Sequence, residues 1–427
     1  MTATSKNRWI IAFSAIAIHM SIGSIYAYSV YQNPLQELHG WTNSQVTLAF
    51  SLGLFFLGIT AASMGWFVNR YGPRLSGYVS AVVFGIGTVG AGIGVELGSL
   101  PIFLFMFGVL GGVGLGIGYI APVSTLVSWF PDKRGLATGL AVFGFGGGAL
   151  ITAPVAEHLM SIISVSQTFY TLGVFYFIAI TAGASYLAKP PEGWTPEGFD
   201  QDVETEGEHG PAGATASDLA QLTGREALRT PRFYLLWVVM FLNIAAGLMV
   251  LSQASNMTQE ITGVTAAVAA GVVGVIGFFN AGGRIGWSAL SDYTGRTNMF
   301  TLFFAAQILI FLLMPSVTNV YLFAAMLCLV VSFMGGGFAC LPAYIGDLFG
   351  TRSLAVIHGY LLTAWALAGL ASPQMIAYFR DTTGSFAGGM YVIAGGMFVG
   401  LIAITVLRLR INNVRDADTV QTPAAES

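Results

Sequence analysis

The chain has 427 residues, 55% of them hydrophobic and 9% charged, with a mean hydropathy of +0.73 and a net charge of −3. That composition excludes a soluble domain. The small net charge says little about partners, since most of it lies in loops, and no nucleic-acid partner is expected. Hydropathy marks twelve spans, at residues 9–33, 44–68, 76–97, 101–128, 136–158, 166–188, 233–257, 264–290, 298–315, 319–347, 353–379 and 385–408. Backbone polar groups in lipid must be satisfied internally, and these runs are too long and continuous for barrel strands. They are therefore read as helices of an all-α integral membrane protein. The 55 glycines suit close helix packing. The first apolar run is too long for a removable signal.

With twelve spans, both termini fall on one side. All but Arg284 and Arg380 of the 17 Lys and Arg residues then lie in segments on that side. Basic loops stay cytoplasmic, so both termini are expected in the cytoplasm and the protein in the cytoplasmic (inner) membrane.

The first span contains IHMSIGSIYAYSVYQNP. His19, Gly23, Tyr26 and Val30 share one helical face. A histidine titrates near 6.5 when unperturbed, which makes His19 a candidate proton carrier; a neutral His19 bonded to a carbonyl or hydroxyl is the alternative. The loop after the second span reads GWFVNRYGPRL, with Gly65, Arg70 and Gly72. The fourth span carries GVLGGVGLGIGYIAPVS. A dinucleotide-binding reading of those glycines fails for want of a preceding strand. Tyr119 follows the run, where thin neighbours leave its ring room to face a cavity. WFPDKRGLA comes next, with Asp132 and Arg134. Glu157 and His158 close the fifth span as a solvated cap or gate.

Residues 189–231 are rich in Pro, Gly and acid, as expected of a flexible cytoplasmic linker. A short surface helix over 217–228, capped by Ser217 or Asp218, is expected within it. The linker divides the chain into halves 1–188 and 232–410, with a disordered tail at 411–427. Asn243, Gln253 and Asn256 in the seventh span are read as bonding neighbouring helices.

The eighth span, AAVAAGVVGVIGFFNAGGRIGWSAL, holds Arg284, the one Lys or Arg placed inside a span, with Asn280 one turn before it. A mid-membrane arginine costs about 2.5–3.5 kcal/mol even on the lenient insertion scale. It must face the protein interior and meet water or an anion. A structural arginine, bonded to backbone carbonyls or snorkelling to the interface, is the alternative. The next loop holds Asp292 and Arg296. Asp347 ends the tenth span near Arg352, where a gate or ion pair is its default role. His358 and Trp365 lie on the eleventh span, Trp365 near mid-membrane. Cys328 and Cys340 are about 18 Å apart along one helix, too far for a disulfide.

The loop motif recurs: GWFVNRYGPRL after the second span, GWSALSDYTGR after the eighth. WFPDKRGLA likewise pairs with LFGTRSLA, and Tyr119 with Phe338. The chain thus reads as two six-helix halves of one ancestry, with a site between them near mid-membrane. These loop motifs resemble those of the major facilitator superfamily, with Asn69 where the family usually has Asp. WFPDKRGLATG and the Arg284 stretch resemble the branch that includes the oxalate/formate antiporter and monocarboxylate transporters. The resemblance implies the major facilitator fold, with twelve transmembrane helices in two pseudo-symmetric halves. It implies Arg284 as substrate anchor. Trp365 stands where the antiporter has a lysine, and Asn280 where animal monocarboxylate transporters have an aspartate.

The expected function is secondary active transport of small monocarboxylates of the lactate, pyruvate and acetate class by alternating access. An oxalate/formate-type anion antiporter is the alternative. Arg284, Asn280, Tyr119, Tyr26, Trp365 and Phe338 are the expected substrate-binding residues. His19, Asp347 and His358 are the proton-coupling candidates. Gly65, Arg70, Gly72, Asp132, Arg134, Asp292, Arg296 and Arg352 are structural loop residues. With no Walker motif, the driving force is a gradient. The five histidines lack ligand spacing, so neither a metal, a cofactor nor an enzyme activity is expected. The expected partners are the substrate, a co-transported proton and the bilayer, with the protein acting as a monomer.

Overall fold

The computed structural model describes residues 6–130, 134–191, 194, 196, 221–350 and 353–420. Among the described residues, twelve helical rods follow one another, and short turns reverse the chain between most of them. In the first half, α1 comprises Arg8–Ile22, a 3-10 stretch Gly23–Ala27 and Ser29–His39. α2 is Asn43–Ser63 and α3 is Gly65–Glu96. α4 joins Leu100–Phe103, a π-helical stretch Leu104–Gly111 and Gly112–Trp129. α5 is Arg134–Ile162 and α6 is Val165–Tyr186. The second half holds α7 (Pro231–Thr262), α8 (Ala266–Thr294), α9 (Arg296–Leu313), α10 (Val320–Phe349), α11 (Leu354–Thr383) and α12 (Ala387–Val420). Among the described residues, eleven helices are long and apolar enough to cross a membrane. α5 is the twelfth rod and packs against α1 and α8.

The sequence supplies the helix starts. Thr42 and Ser164 each form a capping box, with Gln45 and Gln167. Thr265 and Asn319 cap α8 and α10. Large apolar side chains such as Phe13, Phe175, Leu309 and Phe398 stay exposed on the perimeter, as a lipid-facing surface requires.

Three local expectations change. Residues 65–71 of the first loop motif are helical and join α3 through a break at Gly72, whose φ of 85° suits glycine. Gly295, its counterpart in the second half, has φ 83° and separates α8 from α9. Among the described residues of the linker, 221–223 are not helical and the helix is the single turn Gly224–Ala227, capped by Thr223 paired with Glu226; the expected caps were Ser217 or Asp218. Those two residues lie outside the described ones. Its neighbour Leu222 donates its N–H to the Phe349 carbonyl at 2.8 Å, which docks this end of the linker on the second half. α12 continues to Val420, past the point where a polar tail was expected, because no Pro or Gly interrupts residues 401–420.

The halves α1–α6 and α7–α12 meet along α2 with α11, α5 with α8, and α1 with α7. The candidate site lies on these seams.

Candidate functional site

A small cavity lies between the halves. Tyr26, Leu57, Gly58, Ala61, Tyr119 and Phe145 line it from the first half; Arg284, Phe338, Leu362 and Trp365 line it from the second. Four of the expected binding residues and Arg284 itself therefore converge, and Asn280 stands directly behind Arg284.

Arg284 is 5% exposed. Its Nε donates to Asn280 Oδ1 at 3.1 Å. A guanidinium only donates, so this bond assigns Oδ1 to the arginine and turns Nδ2 elsewhere. Asn280 Nδ2 and Arg284 Nη1 are both buried, and neither has an acceptor among the described residues. A buried unsatisfied donor costs about 1–3 kcal/mol, and more when charged. The Arg284 guanidinium also lies 5.3 Å from the Phe338 ring centroid, a cation–π contact. The Tyr26 and Tyr119 side chains interact with the same guanidinium. Both tyrosines lean edge-on against Phe145, with centroids 5.1 Å and 5.5 Å apart.

Glycines let α8 sit this close. A Cβ at Gly146 of α5 would stand 2.7 Å from Asn280 Oδ1, and one at Gly335 of α10 would stand 3.1 Å from Arg284 Cγ. Gly146 lies in the glycine-rich run GFGGG at residues 144–148 of α5. Phe145, Leu57, Gly58, Ala61 and Leu362 are further site residues that hydropathy did not single out, because an apolar wall residue looks like any other apolar residue of a span.

The titratable candidates lie elsewhere. His19 is fully buried behind Tyr119: its Nε2 is 3.0 Å from the Tyr119 carbonyl oxygen, and the rings stack at 5.4 Å. The 3-10 stretch at Gly23–Ala27 breaks the α-helical face that His19 was expected to share with Tyr26. His358 has a buried Nε2 with no partner among the described residues, and it does not line the cavity. Asp347 bonds Arg296 at 2.8 Å, and Arg296 also bonds Asp292 at 3.1 Å. The second-half loop motif thus forms an ion-pair cluster within its own half. In the first half, Gly65 opens α3 and the Arg70 guanidinium lies 5.5 Å from the Tyr71 ring centroid. Asp132 and Arg352 lie outside the described residues, as does the side chain of Arg134, the first residue of α5.

At the end of the bundle opposite the termini, neutral polar groups join the halves. Gln253 Nε2 donates to Thr47 Oγ1 at 2.8 Å, Asn256 Nδ2 to Gln32 Oε1 at 2.9 Å, and Asn43 Nδ2 to Gln253 Oε1 at 3.3 Å. Asn243, by contrast, bonds the Phe333 carbonyl within its own half. Asp381 of α11 accepts the backbone N–H groups of Asn43 and Ser44 at 2.9 and 2.8 Å, capping α2 of the other half. Cys328 and Cys340 are both buried free thiols.

Two six-helix halves enclosing a buried cationic cavity define a membrane carrier. The sequence matches the Major Facilitator Superfamily over residues 10–373, and the chain belongs to that family of transporters. It is 28% identical over 375 residues to the oxalate:formate antiporter of Oxalobacter formigenes, covering 86% of this chain and 84% of that protein. It is 27% identical over 391 residues to apicoplast pyruvate carrier 1 of Toxoplasma gondii, covering 79% and 70%. Its fold is similar to the crystal structure of a bacterial homologue of the human lysosomal transporter Spinster, in an inward-facing and unoccupied conformation, with a TM-score of 0.65, 15% identity and coverage of 98% and 99%.

Proposed function

We propose that the protein carries small monocarboxylates of the lactate, pyruvate and acetate class across the cytoplasmic membrane by alternating access. The observation that carries this reading is the Arg284–Asn280 pair. It is locked by one hydrogen bond and keeps two further buried donors, Nη1 and Nδ2, for an incoming acceptor. A carboxylate satisfies a guanidinium in two places, which an ammonium cannot copy. Tyr26 and Tyr119 supply hydroxyls for the carboxylate or a 2-hydroxyl, and Leu57, Ala61, Leu362 and Trp365 receive the apolar end. The pyruvate carrier and the oxalate:formate antiporter among its relatives support a small carboxylate as substrate. His19, the titratable group that touches the site through Tyr119, is the proposed carrier of a coupled proton. The basic residues of the termini-side loops support a cytoplasmic position for both termini.

Uptake of labelled L-lactate by proteoliposomes tests the assignment. Removing one partner of a buried charge pair costs about 2–5 kcal/mol, so Arg284→Lys is expected to weaken uptake at least about 30-fold while the protein still inserts. Wild-type uptake by the Lys or Ala variant ends the assignment.

A further inference from the structure

The hydrocarbon wall of the cavity is built on a contact between the two halves. Leu57, Gly58 and Ala61 come from α2, and Leu362 and Trp365 from α11. Trp365 is 8% exposed and rests on the bare backbone of Gly58. A Cβ at position 58 would stand 3.2 Å and 3.3 Å from two indole ring carbons and 3.0 Å from the Ala366 Cβ. Each distance is shorter than ordinary carbon–carbon contact at about 3.5–4.0 Å. α2 therefore approaches the indole as closely as the chain allows. The braced ring cannot swing toward α2 to make room, unlike a flexible Met or Leu wall.

We propose that the Gly58–Trp365 contact is a specificity determinant that limits the chain length of the acid the site admits. This rests on the monocarboxylate reading above. With the carboxylate held at Arg284, the tail of the substrate ends against the indole. Each carbon beyond that point must displace a ring already pressed on backbone. Because α2 and α11 belong to different halves, the wall is complete only where the halves touch.

The test is competition against labelled L-lactate uptake in proteoliposomes by acetate, propionate, butyrate and hexanoate. Wild-type protein is expected to lose about tenfold in apparent affinity once the tail outgrows the cavity, as hydrophobic pockets discriminate by about that factor per misfitted methylene. Trp365→Ala is expected to recover about tenfold for hexanoate relative to acetate, with Trp365→Phe intermediate. Gly58→Ala, whose new Cβ enters the wall and presses the indole, is expected to move the cut-off toward shorter acids. An unchanged order of acids in Trp365→Ala overturns the proposal. Should the variants fail to fold, thermal stabilisation of the purified wild-type protein by the same series decides, and equal stabilisation by hexanoate and acetate overturns it. If acetate and lactate compete but the order ignores position 365, the filter alone falls. If no monocarboxylate competes or stabilises, the substrate reading falls and takes the filter with it.

Discussion

Arg284 is expensive wherever it meets lipid, and one amide, together with the Phe338 ring, offsets part of that expense. Asn280 accepts from Nε and leaves the guanidinium its full charge. Asn280→Asp would put a carboxylate in the same place. Opposite charges at about 4 Å attract by about 4 kcal/mol at an effective dielectric of 20, so the new side chain would compete with the substrate. We expect lactate affinity at neutral pH to fall at least about tenfold, with the loss relieved as pH drops and the carboxyl takes up a proton. An unchanged affinity and pH profile would refute this. Arg284 stood out in the sequence because a lone charge in an apolar span is rare. Its unsatisfied Nη1 could not be foreseen, since satisfaction depends on which neighbours come within 3 Å. His19 presents the reverse case. Its position pointed toward the cavity, but the 3-10 stretch turns the following residues and leaves it bonded behind Tyr119. His19→Gln keeps a donor for that carbonyl and removes the titratable group. Uptake by this variant is expected to lose its response to an inward proton gradient, and persisting acceleration excludes His19.

Among the elements, α2 carries two jobs. Its inner half holds Gly58 against Trp365, and its first turn is capped by Asp381 from the other half. A carboxylate at a helix N-terminus contributes about 1 kcal/mol. The cap closes the end where Gln32, Thr47, Gln253 and Asn256 also bridge the halves. Asp381→Ala is therefore expected to raise the population open at that end about fivefold. Labelling of Ser255→Cys by a membrane-impermeant maleimide, with Cys328 and Cys340 replaced by Ala, measures it. Ser255 is buried on this seam, its N–H bonded to Ser29 Oγ. Equal labelling with and without Asp381 would show that the cap does not hold this end shut. At the opposite end, the Arg296 cluster ties α8, α9 and α10 within one half. Asp347 belongs to that cluster through its 2.8 Å contact with Arg296. Arg296 is thus its partner among the described residues; Arg352 lies outside them.

For the whole molecule, the proposed function makes the charge of the cavity the selector of the charge of the cargo. Arg284 is the one charged group among the described residues lining the cavity. It balances one carboxylate. A dianion brings a second charge that must be desolvated with no cationic partner, forgoing about 4 kcal/mol of attraction at an effective dielectric of 20. Excess oxalate is expected to compete with labelled lactate at neutral pH at least about 100-fold more weakly than pyruvate does. Strong inhibition by oxalate with none by pyruvate or lactate would reassign the protein to dianion exchange.

The sequence by itself determined that this is a membrane carrier of twelve spans in two related halves with one charge at its centre. Transfer free energies act residue by residue, and a repeated motif needs no third dimension to be seen. Only the tertiary structure decided which side chains meet. Gly58, Gly146 and Gly335 matter because helices from different places press against them, and Arg296 finds Asp347 because α9 and α10 lie side by side. Helix rotation and closest approach depend on small steric differences between faces of similar hydropathy, and those differences exist only once the helices are packed.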